Sequence, residues 1–66
     1  MEIVFNGELR RVTAGTTVAA LLAELELNAR HVAVEVNLEL VPRAAHGDRE
    51  LRSGDRLEVV TLVGGG

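Results

Sequence analysis

The residues with the clearest chemical potential are three consecutive glycines, which directly follow an apolar, β-branched segment. A carboxylate on Gly66 would carry no side chain beside its carbonyl. Gly64 and Gly65 would let the backbone take any φ and pass through a slot too narrow for side chains. Four residues from Val63 onward span on the order of 13 Å when extended, at about 3.3 Å each. The sequence therefore predicts a reactive C-terminal arm.

Such an arm has a defined chemistry. A carboxylate becomes reactive at neutral pH when a partner enzyme joins it to the α-phosphate of ATP and forms an acyl-adenylate. A terminal Gly-Gly can also be a frayed end, and this one is more informative because it directly follows a predicted strand in a small domain. We expect residues 1–62 to form a single folded domain that docks on a partner. Residues 63–66 are predicted to form a flexible reactive tail that enters the partner's active site.

The other side chains form no recognisable catalytic or metal-binding group. His31 and His46 are the only imidazoles and have no cysteine near them, so both are predicted to be surface residues. Ser53 precedes Gly54 and Asp55, and turn formation explains it without a nucleophilic role. The chain is therefore predicted not to be an enzyme, and to bind no metal or cofactor of its own.

Composition excludes several classes of protein. Sixty-six residues make one domain near the lower size limit for independent folding, and 47% apolar residues are enough for a core. The net charge of −3 and a single aromatic residue, Phe5, argue against nucleic-acid binding. No apolar segment approaches the roughly 20 residues that span a bilayer, and the charged, alternating segment after Met1 is not predicted to be a signal peptide. We expect a cytoplasmic protein that is monomeric when free.

The first half of the chain predicts a hairpin followed by a helix. Residues 2–5 and 8–12 are β-prone and flank Asn6-Gly7, the strongest two-residue hairpin signal. Thr16 or Thr17 can then cap a helix by accepting a hydrogen bond from a free backbone N–H. The helix is identified by an apolar stripe at i, i+3, i+4 and i+7, which consists of Val18, Leu21, Leu22 and Leu25. The helix is expected to stop at Asn28.

The second half predicts two or three more strands. Residues 32–36 alternate apolar and polar, Asn37-Leu38 turns the chain, and Pro42 ends the returning strand because it lacks an N–H. Residues 43–52 are expected to be polar and irregular, with one short helical turn. A turn at Ser53-Gly54-Asp55 leads into the last strand. The predicted fold class is α+β, a roll whose mixed sheet of four to five strands packs on one helix.

Alternation in the first and last strands predicts a partner-binding surface. If the two strands are neighbours, Val4, Val60 and Leu62 form an exposed apolar patch that leads to Val63, and such patches often bind proteins. The alternative is that β-branched residues merely suit strands. Arg56 and Glu58 share the same strand face, which suggests a surface ion pair.

Several segments together resemble the sulfur carrier proteins of thiamine biosynthesis, the ThiS family. The resemblance covers almost the whole chain in order, and its most specific parts are Val41-Pro42-Arg43 after Asn37 and the Gly54-Asp55-Arg56 turn. The other matching segments are Phe5-Asn6-Gly7-Glu8, the helix opening Thr17 to Leu22, Val34 to Asn37, Leu57 to Val60 and the terminal Val63 to Gly66. The chain departs from the family at Leu38, where glycine is typical. Leucine resists positive φ, so we expect another turn type or strain of about 1 kcal/mol.

The resemblance implies a ubiquitin-like β-grasp fold and a cycle of sulfur transfer. An E1-like adenylyltransferase (ThiF-type) would use ATP and Mg²⁺ to adenylate Gly66. A persulfide sulfur donor protein would displace AMP and leave a thiocarboxylate. A thiazole synthase (ThiG-type) would then take the sulfur to build the thiazole ring. Gly64 and Gly65 would form the arm, and the partners would provide every catalytic group.

Other functions are compatible with the same tail. The small subunit of molybdopterin synthase shares the tail chemistry, although that family usually has longer chains. A ubiquitin-like modifier or a sulfur carrier for tRNA thiolation would also end in this way. A β-grasp interaction or RNA-binding module with a frayed end belongs to a different class, and the acidic charge and scarcity of aromatic residues argue against RNA binding.

Overall fold

The computed structural model describes residues 1–62, which form one sheet and one helix. The five strands are β1 (Glu2–Phe5), β2 (Glu8–Arg11), β3 (Val32–Val36), β4 (Glu39–Val41) and β5 (Arg56–Thr61). The helix α1 covers Val18–Glu24, and short 3₁₀ turns lie at Ala29–His31 and Arg43–Ala45. The predicted α+β roll is confirmed, and its sheet has five strands.

The last strand of the chain lies in the middle of the sheet. The strand order is β2-β1-β5-β3-β4. β5 pairs parallel with β1 on one side and antiparallel with β3 on the other, while β1–β2 and β3–β4 are antiparallel hairpins. Because both edges of β5 are hydrogen-bonded, the strand that leads to the C-terminal segment is held from both sides.

Helix α1 begins at a single capping residue and covers the core. Thr17, not Thr16, is the N-cap, and its Oγ1 accepts a hydrogen bond from the amide of Ala20 at 3.1 Å. The predicted apolar stripe is confirmed, since three of its four members are buried and Leu25 packs against them. The core beneath the helix contains twelve buried apolar residues: Ile3, Val12, Val18, Leu21, Leu22, Val32, Val34, Val36, Val41, Leu51, Leu57 and Val59.

The predicted helix stop at Asn28 is wrong, because α1 ends one turn earlier. Glu26 adopts a left-handed φ of 59°, and the amide of Leu27 donates to the carbonyl of Leu22 at 2.8 Å, as in a Schellman cap. The usual sequence signal, glycine at the left-handed position, is missing here. Asn28 instead caps the 3₁₀ turn Ala29–His31.

The segment predicted to be polar and irregular contributes to the core. It contains the expected short helical turn, but Leu51 is also almost completely buried. The amide of Leu51 donates to the carbonyl of Thr16 at 2.8 Å, and the amide of Val18 donates to the carbonyl of Arg49 at 2.9 Å. These two bonds attach the segment to the start of α1. A single leucine among polar residues has no periodic neighbours, so the sequence pattern does not identify it as a core residue.

Asn6 has two roles at the end of β1. With φ of 48° at Asn6 and 85° at Gly7, the predicted hairpin turn is confirmed. The side chain of Asn6 also accepts a hydrogen bond from the amide of Val59 at 2.7 Å and donates to its carbonyl at 3.0 Å. The side-chain amide thus continues the pairing with β5 beyond the last residue of β1.

The turn between β3 and β4 carries the strain expected from its sequence. Asn37 and Leu38 have φ of 53° and 70°, so the turn keeps the geometry that favours glycine despite the leucine. The left-handed conformation costs an L-residue about 1–2 kcal/mol. The side chain of Leu38 is 85% exposed and gains no burial in return.

Asn6→Gly tests the side-chain bridge to Val59. Glycine keeps the positive φ but removes both hydrogen bonds, so we expect the free energy of unfolding to fall by about 2 kcal/mol. Amide hydrogen exchange at Val59 should accelerate. The control is Asn28→Gly, which removes one exposed capping bond and should cost only a few tenths of a kcal/mol. Unchanged protection of the Val59 amide would contradict the bridge.

Leu38→Gly tests the strain in the β3–β4 turn. Relief of the left-handed leucine should exceed the entropic cost of glycine and raise the free energy of unfolding by about 0.5 kcal/mol, as measured by chemical denaturation. Leu40→Gly, in the adjacent strand, should instead lower it by up to about 1 kcal/mol. Equal losses in both variants would show that the turn is not strained.

Candidate functional site

The C-terminal end of β5 is the part of the described chain nearest in sequence to the predicted tail. Thr61 lies opposite Val32, and the amide of Leu62 donates to the carbonyl of His31 at 2.7 Å. The chain is therefore held beside the start of β3 up to the last described residue, where Leu62 is half exposed. The predicted reactive and threading residues Gly64, Gly65 and Gly66, together with Val63 of the predicted patch, lie outside the described residues.

The side of the sheet that faces away from α1 is called the outer face. Its residues are identified by strand register as Glu2, Val4, Leu9, Arg11, Ala33, Glu35, Leu40, Arg56, Glu58 and Val60. The predicted proximity of β1 and β5 is confirmed. However, Val4 lies opposite Arg56, four residues before Val60, which is about 13 Å along a strand. The continuous patch expected from Val4 to Leu62 is therefore interrupted by Arg56 and Glu58.

The exposed large apolar side chains of residues 1–62 all lie on or beside the outer face. Leu9 is next to Val4 at one corner. At the other corner the exposed apolar residues are Leu38, Leu40, Val60 and Leu62. Of the predicted patch, Val60 and Leu62 belong to this second group, and sequence reasoning missed Leu38 and Leu40. Leu38 lies in the turn before β4, and the alternation around Leu40 in this three-residue strand is too short to assign a face.

Two carboxylates lie side by side within this apolar corner. Glu35 of β3 is directly opposite Glu58 of β5, and Leu40 is opposite Glu35 on the other side. The expected ion pair between Arg56 and Glu58 is wrong, because the one salt bridge within residues 1–62 joins Arg49 to Asp55. Neither glutamate has a cation within ion-pair distance in that part of the chain.

A buried carboxylate fixes the other end of β5. Asp55 accepts hydrogen bonds from the side-chain amide of Asn37 at 3.0 Å and from the amide of Arg52 at 2.8 Å, and Arg49 lies 3.8 Å away. Asn37 in turn accepts from the amide of Arg56 at 3.0 Å. The segments that distinguish the family resemblance, around Asn37 and around Asp55, therefore meet in one hydrogen-bonded network at the start of β5.

The two histidines have different environments. His31 is exposed, as predicted, but His46 is 4% exposed, so its assignment to the surface is wrong. Its Nε2 lies 3.0 Å from the carbonyl of Val41 and must donate to it, while Nδ1 has no partner among the described residues. Within residues 1–62 no three His, Cys, Asp or Glu side chains are placed to hold a metal ion. In the same range no helix is long and apolar enough to cross a membrane.

Known proteins resemble the chain over its whole length. It is 48% identical to a thiazole synthase of Paramagnetospirillum magneticum over 66 residues, which is all of this chain but 20% of that protein. It is 42% identical to a thiazole synthase of Magnetococcus marinus, again over 20% of that protein. The chain thus spans about a fifth of these two relatives. It is 30% identical to the sulfur carrier protein ThiS of Escherichia coli, with complete coverage of both chains.

Structure and family comparison agree with these relatives. The crystal structure of a thiamine biosynthesis protein (ThiS) from Geobacter metallireducens superposes with a TM-score of 0.87, at 32% identity and with 100% of both chains covered. The model of the ThiS family matches residues 3–66. The chain therefore belongs to the ThiS family and has the β-grasp fold.

Proposed function

We propose that this protein is a sulfur carrier of thiamine biosynthesis that works through a thiocarboxylate on Gly66. The observation that carries the proposal is the extent of the family match, which runs to residue 66 and so includes the three glycines. The relative from Escherichia coli that matches over its full length is named as a sulfur carrier. In this role the chain is a cosubstrate, and its partners provide the catalytic groups.

The proposed cycle begins with activation of the tail. In an E1-like adenylyltransferase, a carboxylate oxygen of Gly66 attacks the α-phosphate of ATP, and pyrophosphate leaves with its charge neutralised by Mg²⁺. A persulfide on the donor protein then attacks the carbonyl carbon and displaces AMP. A thiol then attacks the donor's sulfur in the resulting acyl disulfide, forms a disulfide with the donor and releases the thiocarboxylate on Gly66. Gly64 and Gly65 allow the reacting carbonyl to pass through a narrow channel.

Thiazole synthase is the proposed acceptor of the sulfur. Two relatives with this name contain a segment that matches the whole of this chain, and their name supports the thiamine branch over the molybdopterin and tRNA alternatives. Val60, Leu62 and Val63 are the proposed contact residues nearest the tail. Val4 belongs to the same proposed partner-binding surface but lies farther away on the outer face.

Intact mass measures the central step of the proposal. Incubation with the adenylyltransferase of the same organism, ATP, Mg²⁺ and a persulfide donor should add the mass difference between one sulfur and one oxygen atom. A variant that lacks Gly65 and Gly66 should gain nothing. If the wild-type chain shows no mass gain, or the truncated chain gains the same mass, then Gly66 does not carry the sulfur.

Gly65→Ala separates tail chemistry from folding. An added Cβ should obstruct passage of the arm, so we expect at least a tenfold lower rate of adenylation, measured by pyrophosphate release, with no change in the free energy of unfolding. Gly47→Ala is the matched control, since no atom lies within 4 Å of the added Cβ and its φ is not left-handed. Parallel losses of stability and adenylation in Gly65→Ala would assign the tail a structural role instead.

A further inference from the structure

The outer face combines exposed apolar side chains with a pair of like charges. The carboxylates of Glu35 and Glu58 are on directly opposed residues, whose Cβ atoms lie about 5 Å apart in an antiparallel pair. A shallow cavity of about 220 Å³ lies over them, lined by Ala33, Glu35, Leu38, Glu58 and Val60. An adjoining cavity of about 260 Å³ is lined by Leu38 and Glu58 together with Asn37 and Arg56, whose guanidinium is not within ion-pair distance of Glu58. The strained, exposed Leu38 and the carboxylate-bearing Glu58 therefore line both cavities.

This arrangement disfavours the isolated protein in two ways. Like charges directly opposite each other destabilise a sheet, and no arginine within residues 1–62 forms an ion pair with either glutamate. The left-handed Leu38 adds backbone strain at the same place. Backbone strain clusters at active sites, ligand clamps and switch regions, so its position here is consistent with a role in binding. A cation bound between the carboxylates would attract both of them and offset their mutual repulsion.

Charge and shape restrict what can cover this surface. A second copy of the chain would bring two further carboxylates against the first pair, in a protein whose net charge is already −3. Nucleic acid is excluded in the same way, since its phosphates would meet the glutamates. A guanidinium group fits, because its planar set of donors can bind two carboxylates at once while its faces lie against apolar side chains. Leu38 and Val60 border the pair on the cavity side.

We propose that the outer face around Glu35 and Glu58 is a docking surface for thiazole synthase, which inserts an arginine side chain between the two carboxylates and packs apolar residues on Leu38, Leu40 and Val60. The proposal rests on the proposed function, in which the synthase receives the tail. β5 links the two, because it carries Glu58 and Val60 and continues in sequence to Leu62 and the glycines.

The test measures the affinity of the full chain for purified thiazole synthase of the same organism by isothermal titration calorimetry. Glu35→Gln and Glu58→Gln should each raise the Kd about tenfold, because each removes a charge-assisted hydrogen bond. The matched control, Glu24→Gln, changes the net charge equally on the exposed side of α1 and should alter the Kd less than twofold. The melting temperature of Glu58→Gln should rise by about 2 °C as the repulsion is removed.

Three results would contradict the proposal that this surface binds thiazole synthase. These are an unchanged Kd for both glutamine variants, equal losses in the Glu24→Gln control, or weaker binding accompanied by a lower melting temperature, which would indicate a structural role. Weaker binding to the adenylyltransferase alone, or a change in self-association of the free chain, would assign the surface to another occupant and would also reject the proposal.

The two proposals can fail separately. Sulfur loading of the tail is read by intact mass with the adenylyltransferase and does not require the synthase. A chain that gains sulfur but binds the synthase independently of Glu35 and Glu58 would reject only the docking surface. A chain that binds through the two glutamates but never gains sulfur would reject only the proposed function.

Discussion

The structure depends on holding β5 in the middle of the sheet, because this strand both closes the core and leads to the glycines. Backbone pairing with β1 and β3 is not the only restraint. The side chain of Asn6 bonds to both backbone groups of Val59 in the interior of the strand, and the network of Asn37 and Asp55 fixes its start. Two asparagines, each at a hairpin turn, thus replace peptide groups that the neighbouring strands are too short to provide.

The two faces of the sheet meet different requirements. The inner face carries the aliphatic residues that a chain without cysteine and with one aromatic residue needs for stability. The outer face instead carries exposed leucines, an opposed pair of glutamates and a left-handed leucine, none of which helps the isolated domain. Features that cost stability and are gathered in one place are best explained by binding.

Much of the fold follows from local signals. Asn6-Gly7, the capped helix with its apolar stripe and the alternating strand at 32–36 predict the α+β roll, since each depends on neighbours in sequence. The errors about the apolar patch, Leu51 and His46 concern contacts between distant residues. The register of β1 against β5 separates Val4 from Val60, and the burial of Leu51 and His46 depends on how a loop folds over the core. For the candidate site, composition and the family resemblance identified the glycines, but the opposition of Glu35 and Glu58 appears only once the strands are paired.

The parallel pairing of β1 with β5 has a consequence for biogenesis. Val4 lies opposite Arg56, so the centre of the sheet cannot assemble until nearly all of the described chain has left the ribosome, and closing a loop of this length delays folding. The outer face beside Leu62 forms only when β3 and β5 have paired. Under the proposed function, an enzyme that binds this surface before it acts on the glycines would favour folded chains over nascent or misfolded ones. The proposed activation step would then depend on the pairing of β1 with β5, and so on correct folding.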